Sequence, residues 1–307
     1  MKDQIGNLLS AVAGVLLFGA AAYPAAIIPG SLSGSLGPTD DGSSGAVALG
    51  IGGAGGIDFL GTAATSAFVN NNGNVTFGSA LGGFIPNGLS VGMGVPIIAP
   101  YFADVDTTGP GSGVASYGNL TAGGHAAFAV DWLNVGYFPE QTDKTNSFQL
   151  LLIDRSDTGA GNFDIEFNYD RIQWEAGSLD GGLDGLGGIS AAAGYSDGFG
   201  VSYQLAGSLV NGALIDGGPD ALVSHSLGGS GVPGRYDFEV RNGEVTIPTP
   251  VPEPGTVSLL LMAAGFWVLG AVMSASTNGA VITRERLLFR GGRSYAPDCD
   301  PQDLYRL

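Results

Sequence analysis

The sequence predicts a mainly β protein, an antiparallel β-sandwich or partly closed barrel, with a signal peptide before it and one transmembrane helix after it. Three observations lead there. Period-two alternation recurs through the middle of the chain. Glycine is abundant, 54 of 307 residues, while charged residues make up only 13%, which favours many turns and short strands over long helices. Two apolar, uncharged runs stand near opposite ends.

The clearest element lies within residues 146–177. In FDIEFNYD, Phe163, Ile165, Phe167 and Tyr169 point one way, and Asp164, Glu166, Asn168 and Asp170 the other. That is the period of a strand with one buried and one wet face. Residues 148–153, FQLLLI, form a nearly continuous apolar run, as expected of a strand covered on both sides. The polar connector DRSDTGAG has turn chemistry, so the two strands make a central hairpin.

The remaining elements follow in order. Residues 1–26 read as a secretory signal peptide: Lys2, an apolar run from Leu8 to Ala22, and small residues at Ala20, Ala22 and Ala26. Residues 27–56 are Gly/Ser-rich. There Gly50, Gly52 and Gly55 fit a dinucleotide-binding spacing but lack the flanking strand and helix that the mechanism needs. AFVNNNGNVTFG reads as a hairpin turning at Asn72-Gly73, since both residues tolerate positive φ. Ser90 sits in a Gly-x-Ser-x-Gly pattern, but Pro96 and its neighbouring glycines forbid the helix a nucleophile elbow requires. Strands are then expected at 95–102, 114–117 and 126–134, with a long polar loop running on through Lys144. After the central hairpin come strands at 189–195 and 199–205, and RYDFEVR as the closing strand. The β domain is placed at 57–243 and a Pro-rich linker at 244–255. The transmembrane helix covers 256–283, and a cytoplasmic basic tail 284–307. Arg284, Arg286, Arg290 and Arg293 set that orientation.

Charge narrows the partners. The net charge is −17, and between residues 27 and 250 acidic residues outnumber basic ones 22 to 5. Nucleic acid is excluded, because its binding depends on Lys and Arg neutralising phosphates. Cys299 is the single cysteine, so no intramolecular disulfide forms, which favours a bacterial cell surface over a disulfide-rich secreted module.

Catalytic chemistry needs converging groups. His125 and His225 lie in Gly- and Ser-rich segments and read as surface or turn residues, too few for a zinc site. No organic cofactor is expected. The hard-oxygen donors Asp104 and Asp106, with the exposed carbonyls of the Thr107–Gly113 loop, form a candidate Ca²⁺ site, with Asp180 and Asp184 as a second. The competing reading makes all four solvated turn aspartates. Trp132, Tyr137, Phe138 and Trp174 are candidate sugar-stacking residues, with a core role as the alternative.

Five ordered blocks, AFVNNNGNVTFG, PIIAPYFADVDT, AFAVDWLNVGYF, TNSFQLLLIDRSDTGAGNFDIEFNYDRIQW and AAGYSDG, resemble the extracellular nidogen-like domain. The resemblance implies a mainly β, non-catalytic module of adhesion and matrix proteins, with no active site to carry over. The chain lacks the cysteines and EGF-like neighbours of the vertebrate members. Val251-Pro252-Glu253-Pro254-Gly255, followed at once by the apolar helix, resembles the PEP-CTERM sorting signal. That implies an exosortase-type processing protease as partner, and release to the surface or matrix. Here the chain runs on past the helix further than such tails do. The function expected is a cell-surface or extracellular-matrix protein, an adhesion or biofilm-matrix component and not an enzyme, meeting polysaccharide or matrix protein. The alternative is a secreted enzyme or carbohydrate-binding protein acting on extracellular polysaccharide.

Overall fold

The structure, a computed structural model, describes residues 25–89 and 93–248. The expected signal peptide through residue 24, Ser90, the 251–255 motif, the 256–283 segment and the basic tail lie outside the described residues. Among the described residues there is no α-helix, and no helix long and apolar enough to cross a membrane.

The first strands in chain order are β1 (Gly34–Ser35), β2 (Val47–Ala48), β3 (Ile57–Phe59), β4 (Thr62–Ala64), β5 (Ser66–Asn70), β6 (Asn74–Thr76) and β7 (Ile97–Phe102). Next come β8 (Ala115–Ala122), β9 (His125–Tyr137), β10 (Gln141–Asp154) and β11 (Phe163–Arg171). The last are β12 (Ala192–Ser196), β13 (Ser202–Gln204), β14 (Arg235–Arg241) and β15 (Glu244–Thr246). One large sheet has the order β1-β8-β9-β10-β11-β14-β15, the other β13-β12-β7-β6-β5-β2, and β3 and β4 pair as a separate two-stranded sheet. All the ladders between these strands are antiparallel. The fold is therefore a sandwich; neither sheet closes into a barrel.

Alternation fills the space between the sheets. Phe128, Val130 and Trp132 of β9 join Phe148, Leu150 and Leu152 of β10, and Phe163, Ile165, Phe167 and Tyr169 of β11, in one core with Val75, Ile98 and Tyr101. The rings of Trp132 and Phe148 stack with centroids 5.2 Å apart, and Tyr101 tilts on Phe148 at 5.4 Å. Such pairs contribute roughly 0.5–1.5 kcal/mol each beyond area burial. Their polar tips are satisfied. Tyr101 Oη donates to the Trp174 carbonyl at 2.6 Å, Tyr169 Oη to Pro100 at 2.6 Å, and Trp132 Nε1 to Asn71 at 3.0 Å.

The central hairpin forms as its alternation predicts, with Phe148 opposite Tyr169 and Leu150 opposite Phe167. Three details of the sequence reading change. Residues 135–145 are mostly strand: β9 runs through Tyr137 and β10 starts at Gln141, because polar composition reports exposure and a hairpin end can be both exposed and paired. RYDFEVR is not the edge, since β15 pairs beyond it. The wet face of β11 is mostly dry. Glu166 and Asn168 are buried, Asp164 is half-buried between Arg155 and Arg241, both 2.7 Å away, and only Asp170 is exposed.

The cover is the Gly/Ser-rich segment itself. Gln149, wholly buried on β10, acts like a backbone unit: its amide donates to the Ile28 carbonyl at 2.8 Å and its Oε1 accepts the Ile28 N–H at 3.0 Å. Arg235 donates to the Ala26 carbonyl at 2.9 Å, and β1 pairs with β8. Ile28 and Leu32 then pack over Ala127, Ala129 and Leu151 on the outer face. Beneath this strap runs a buried polar chain. Gln149 donates to Asp131, Asn168 donates to Gln149 and Glu166, and Arg235 pairs with Glu166 at 3.2 Å.

Replacing Gln149 by Ala strands the N–H and C=O of Ile28 together with Asp131 and Asn168. The expected cost is on the order of 1–3 kcal/mol, read as a lower urea midpoint at constant slope for the full chain.

Candidate cation site

The site is built on the turn between β5 and β6. Gly73 there has φ +71°, and a Cβ would lie 1.8 Å from the Tyr101 carbonyl oxygen, so the turn needs glycine on both counts. The asparagines around it are buried and bridge distant segments. Asn71 donates through its amide to the carbonyls of Asp40 and Val105. Asn72 donates to Asp41 Oδ1 at 2.7 Å and accepts the Val105 N–H at 2.9 Å. Thr39 and Thr107 exchange two further bonds, Thr39 N–H to Thr107 Oγ1 at 2.8 Å and Thr107 N–H to the Thr39 carbonyl at 2.9 Å. Residues 39–41 are thereby laid against the chain just after β7.

Three carboxylates meet where these segments touch the 177–188 loop, and a fourth, Asp180 of that loop, lies near enough to act on the charge of Asp104. Oxygens of Asp40, Asp41 and Asp104 lie within 4.8 Å of one another. Asp104 is 2% exposed and Asp180 5%. Oδ2 of Asp104, Oδ1 of Asp40 and both oxygens of Asp180 are buried without a hydrogen-bond partner. Asp41 is exposed and opens the cluster to solvent. Gly177 admits Asp104: a Cβ at that position would stand 2.0 Å from Asp104 Oδ2. Burial first, then the charges of Asp180, Asp40, Asp41 and Asp106, push Asp104 up to about 8. Burial and Asp41 lift Asp40 to about 6, and burial, opposed by the nearby Gly177 N–H and reinforced by Asp41, lifts Asp180 to about 6.

The sequence-derived candidates divide. Asp104 and Asp180, expected in separate sites, come together. Asp106 is buried but committed: Oδ1 accepts the N–H of Thr108 at 2.8 Å and its hydroxyl, and Oδ2 accepts the Glu140 N–H at 2.8 Å. Asp184 is exposed at φ +53° and stands apart. Asp40 and Asp41 were missed. Their signal was the Asp-Asp-Gly run inside the Gly/Ser-rich segment.

The aromatic candidates are corrected by burial. Trp132 and Trp174 are wholly enclosed and offer no ring face to a sugar; Trp174 Nε1 donates to the Val135 carbonyl at 3.1 Å. Tyr137 is buried against Trp174, centroids 5.4 Å apart, with its hydroxyl on Asp143 at 2.9 Å. Phe138 alone is half-exposed. His125 opens β9, half-buried. His225 sits in a shallow concavity with Tyr203, Asp220 and Tyr236, its Nδ1 2.9 Å from the Ala221 carbonyl oxygen. Gly53–Gly55 forms a 3-10 turn leading into β3, with no helix there to hold a pyrophosphate.

With divalent ions chelated, Asp40, Asp104 and Asp180 hold protons at pH values where the unfolded chain, with aspartates near 3.9, has lost them. Their contribution to stability is therefore full below about pH 4 and lost as pH rises towards 8. Thermal unfolding in chelator should come at a lower temperature at pH 8 than at pH 5, and Asp104→Asn should flatten that slope. An unchanged slope in the variant would contradict the assignment.

Comparison with known proteins bears on the domain that carries the site. The nidogen-like domain profile matches residues 65–124 and 119–242. The chain is similar to alpha-tectorin of Gallus gallus, 28% identical over 229 residues, and to alpha-tectorin of Mus musculus and of Homo sapiens, 30% identical over 230 residues in each. Each alignment covers 67% of this chain and 10% of the relative, so the chain spans about a tenth of the length of these curated relatives. No solved structure matches. With the match extending over more than half of its length and over both sheets of the sandwich, the chain belongs to the nidogen-like domain family.

Proposed function

We propose that this chain is an exported, non-catalytic matrix or adhesion module, carried to the cell surface by signals at its two ends. The observation that supports it best is the family match over 65–242, consistent with an extracellular matrix or adhesion-type role. The interior supports the same reading: the gap between the sheets is filled with side chains, Trp132, Trp174, Phe148 and Phe167 among them. Such a body offers surface, edges and loops to a partner. Polysaccharide or a matrix protein is the partner class that suits it.

The sorting part of the proposal rests on sequence. An apolar leader through residue 26 exports the chain, and the uncharged 256–283 stretch followed by arginines holds it in the membrane. An exosortase-type protease reading Val251-Pro252-Glu253-Pro254-Gly255 then frees it. Expressed in a host with that machinery, the parent should yield a shortened product in the surface or medium fraction. A chain lacking Pro252-Glu253-Pro254 should stay full-length in the membrane fraction. Both forms remaining soluble in the cytoplasm would end the proposal.

A further inference from the structure

We propose that Asp40, Asp41, Asp104 and Asp180 bind one calcium ion, which ties residues 39–41 and the 177–188 loop to the chain after β7. Acidic residues gather on many surfaces without an ion, so the argument rests on what is buried. Asp104 and Asp180 are each more than nine-tenths buried, and three of their four carboxylate oxygens have no donor. Buried polar atoms are nearly always paired, and a buried unpaired carboxylate is among the costliest arrangements a fold can hold. Among the described residues, none of the ion pairs reaches these four acids. A cation removes the cost and turns mutual repulsion into shared ligation.

Geometry and donor type select the ion. Ca²⁺ takes oxygen ligands at about 2.3–2.6 Å, so ligands on opposite sides of one ion lie roughly 5 Å apart. The oxygens of Asp40, Asp41 and Asp104 fall within that span at 4.8 Å. Every side-chain donor is a carboxylate, a hard-oxygen set that disfavours zinc. Three converging carboxylates from two segments, with Asp180 of a third beside them, make an adaptable shell. Mg²⁺ demands near-ideal octahedral geometry and keeps its waters, so it fits less well. The exposed Asp41 gives the ion its way in, and Gly177 leaves the room beside Asp104 that any side chain would occupy.

The affinity needed rests on the exported reading above: outside a cell, a dissociation constant of about 10⁻⁴–10⁻³ M suffices. Location and binding are tested separately, so either can fail alone. The binding test uses the full chain in mild detergent, stripped with EGTA and titrated with CaCl₂ by calorimetry, with thermal unfolding followed in parallel. The parent should show one binding event and a Ca²⁺-dependent rise in unfolding temperature, with a smaller response to MgCl₂. Asp104→Asn and Asp180→Asn should each weaken binding on the order of tenfold or more. Both should also unfold at a higher temperature than the parent in EGTA, because a neutral amide relieves the repulsion. That gain separates lost ligation from misfolding. Asp106→Asn should retain the binding event. No heat and no thermal shift in the parent at millimolar Ca²⁺ would overturn the proposal. So would undiminished binding in both Asp104→Asn and Asp180→Asn, which would place the ion elsewhere.

Discussion

The turn at Asn70–Asn74 is the constraint on which the rest depends. Its backbone joins the sheets through the Asn71 carbonyl, which receives Trp132 Nε1 from β9, and ties the turn to its own sheet through the Gly73 carbonyl, which receives the Tyr101 N–H of β7. Its side chains bind loops that no ladder reaches. Asn70 takes Ser43 and the Leu81 N–H, Asn71 takes Asp40 and Val105, and Asn72 takes Asp41 and the Val105 N–H. Buried amides with several partners are worth more than their pairwise sum, because low local polarity strengthens each bond and penalises each gap. Asparagine suits the place: short enough to stay in the turn, with donor and acceptor on one planar group.

A second layer of polar structure lies on the opposite side of the large sheet. There the strap of residues 26–35 turns a face that would be wet into a half-dry interior. Burial raises Glu166 and Asp131 above their ordinary values, and raises Asp237, next to Glu166, to about 7. Arg235 and Arg241 answer part of that charge. With 5 basic residues against 22 acidic ones between residues 27 and 250, arginine is scarce, and two of the five lie on β14 over this face. Among the described residues, the acid cluster after β7 has no arginine paired with it.

How much of this could be read beforehand follows from what periodicity encodes. Alternation in FDIEFNYD and RYDFEVR reports which residues share a face, so the central hairpin, the core aromatics and the Asn72-Gly73 turn were legible. It does not report what covers the other face. The strap is Gly- and Ser-rich and pairs through Gln149 rather than through a long ladder, so nothing local announces it. The acid cluster was half legible. Asp104 and Asp180 each stood out beside turn residues, but their meeting is set by how β7 and the 177–188 loop pack. Asp106 resembled Asp104 in sequence and differs only in having donors at hand, Thr108 and Glu140, a distinction made by the fold.

The strap also sets how the domain would answer a pull. It crosses the sheet sideways, held first by Arg235 on Ala26, then by Gln149 on Ile28, then by the short β1–β8 ladder. Force applied at residue 26 would load these bonds one after another, as in a zipper. The opening stops at residues 39–41, where Thr39, Asp40 and Asp41 are gripped together by Asn71, Asn72 and Thr107 and the load is spread over several bonds at once. Pulled from residue 26, a fold so built would release the strap of residues 26–38, on the order of 40 Å of chain, while its sandwich stays shut, a shock absorber ahead of the first long strands.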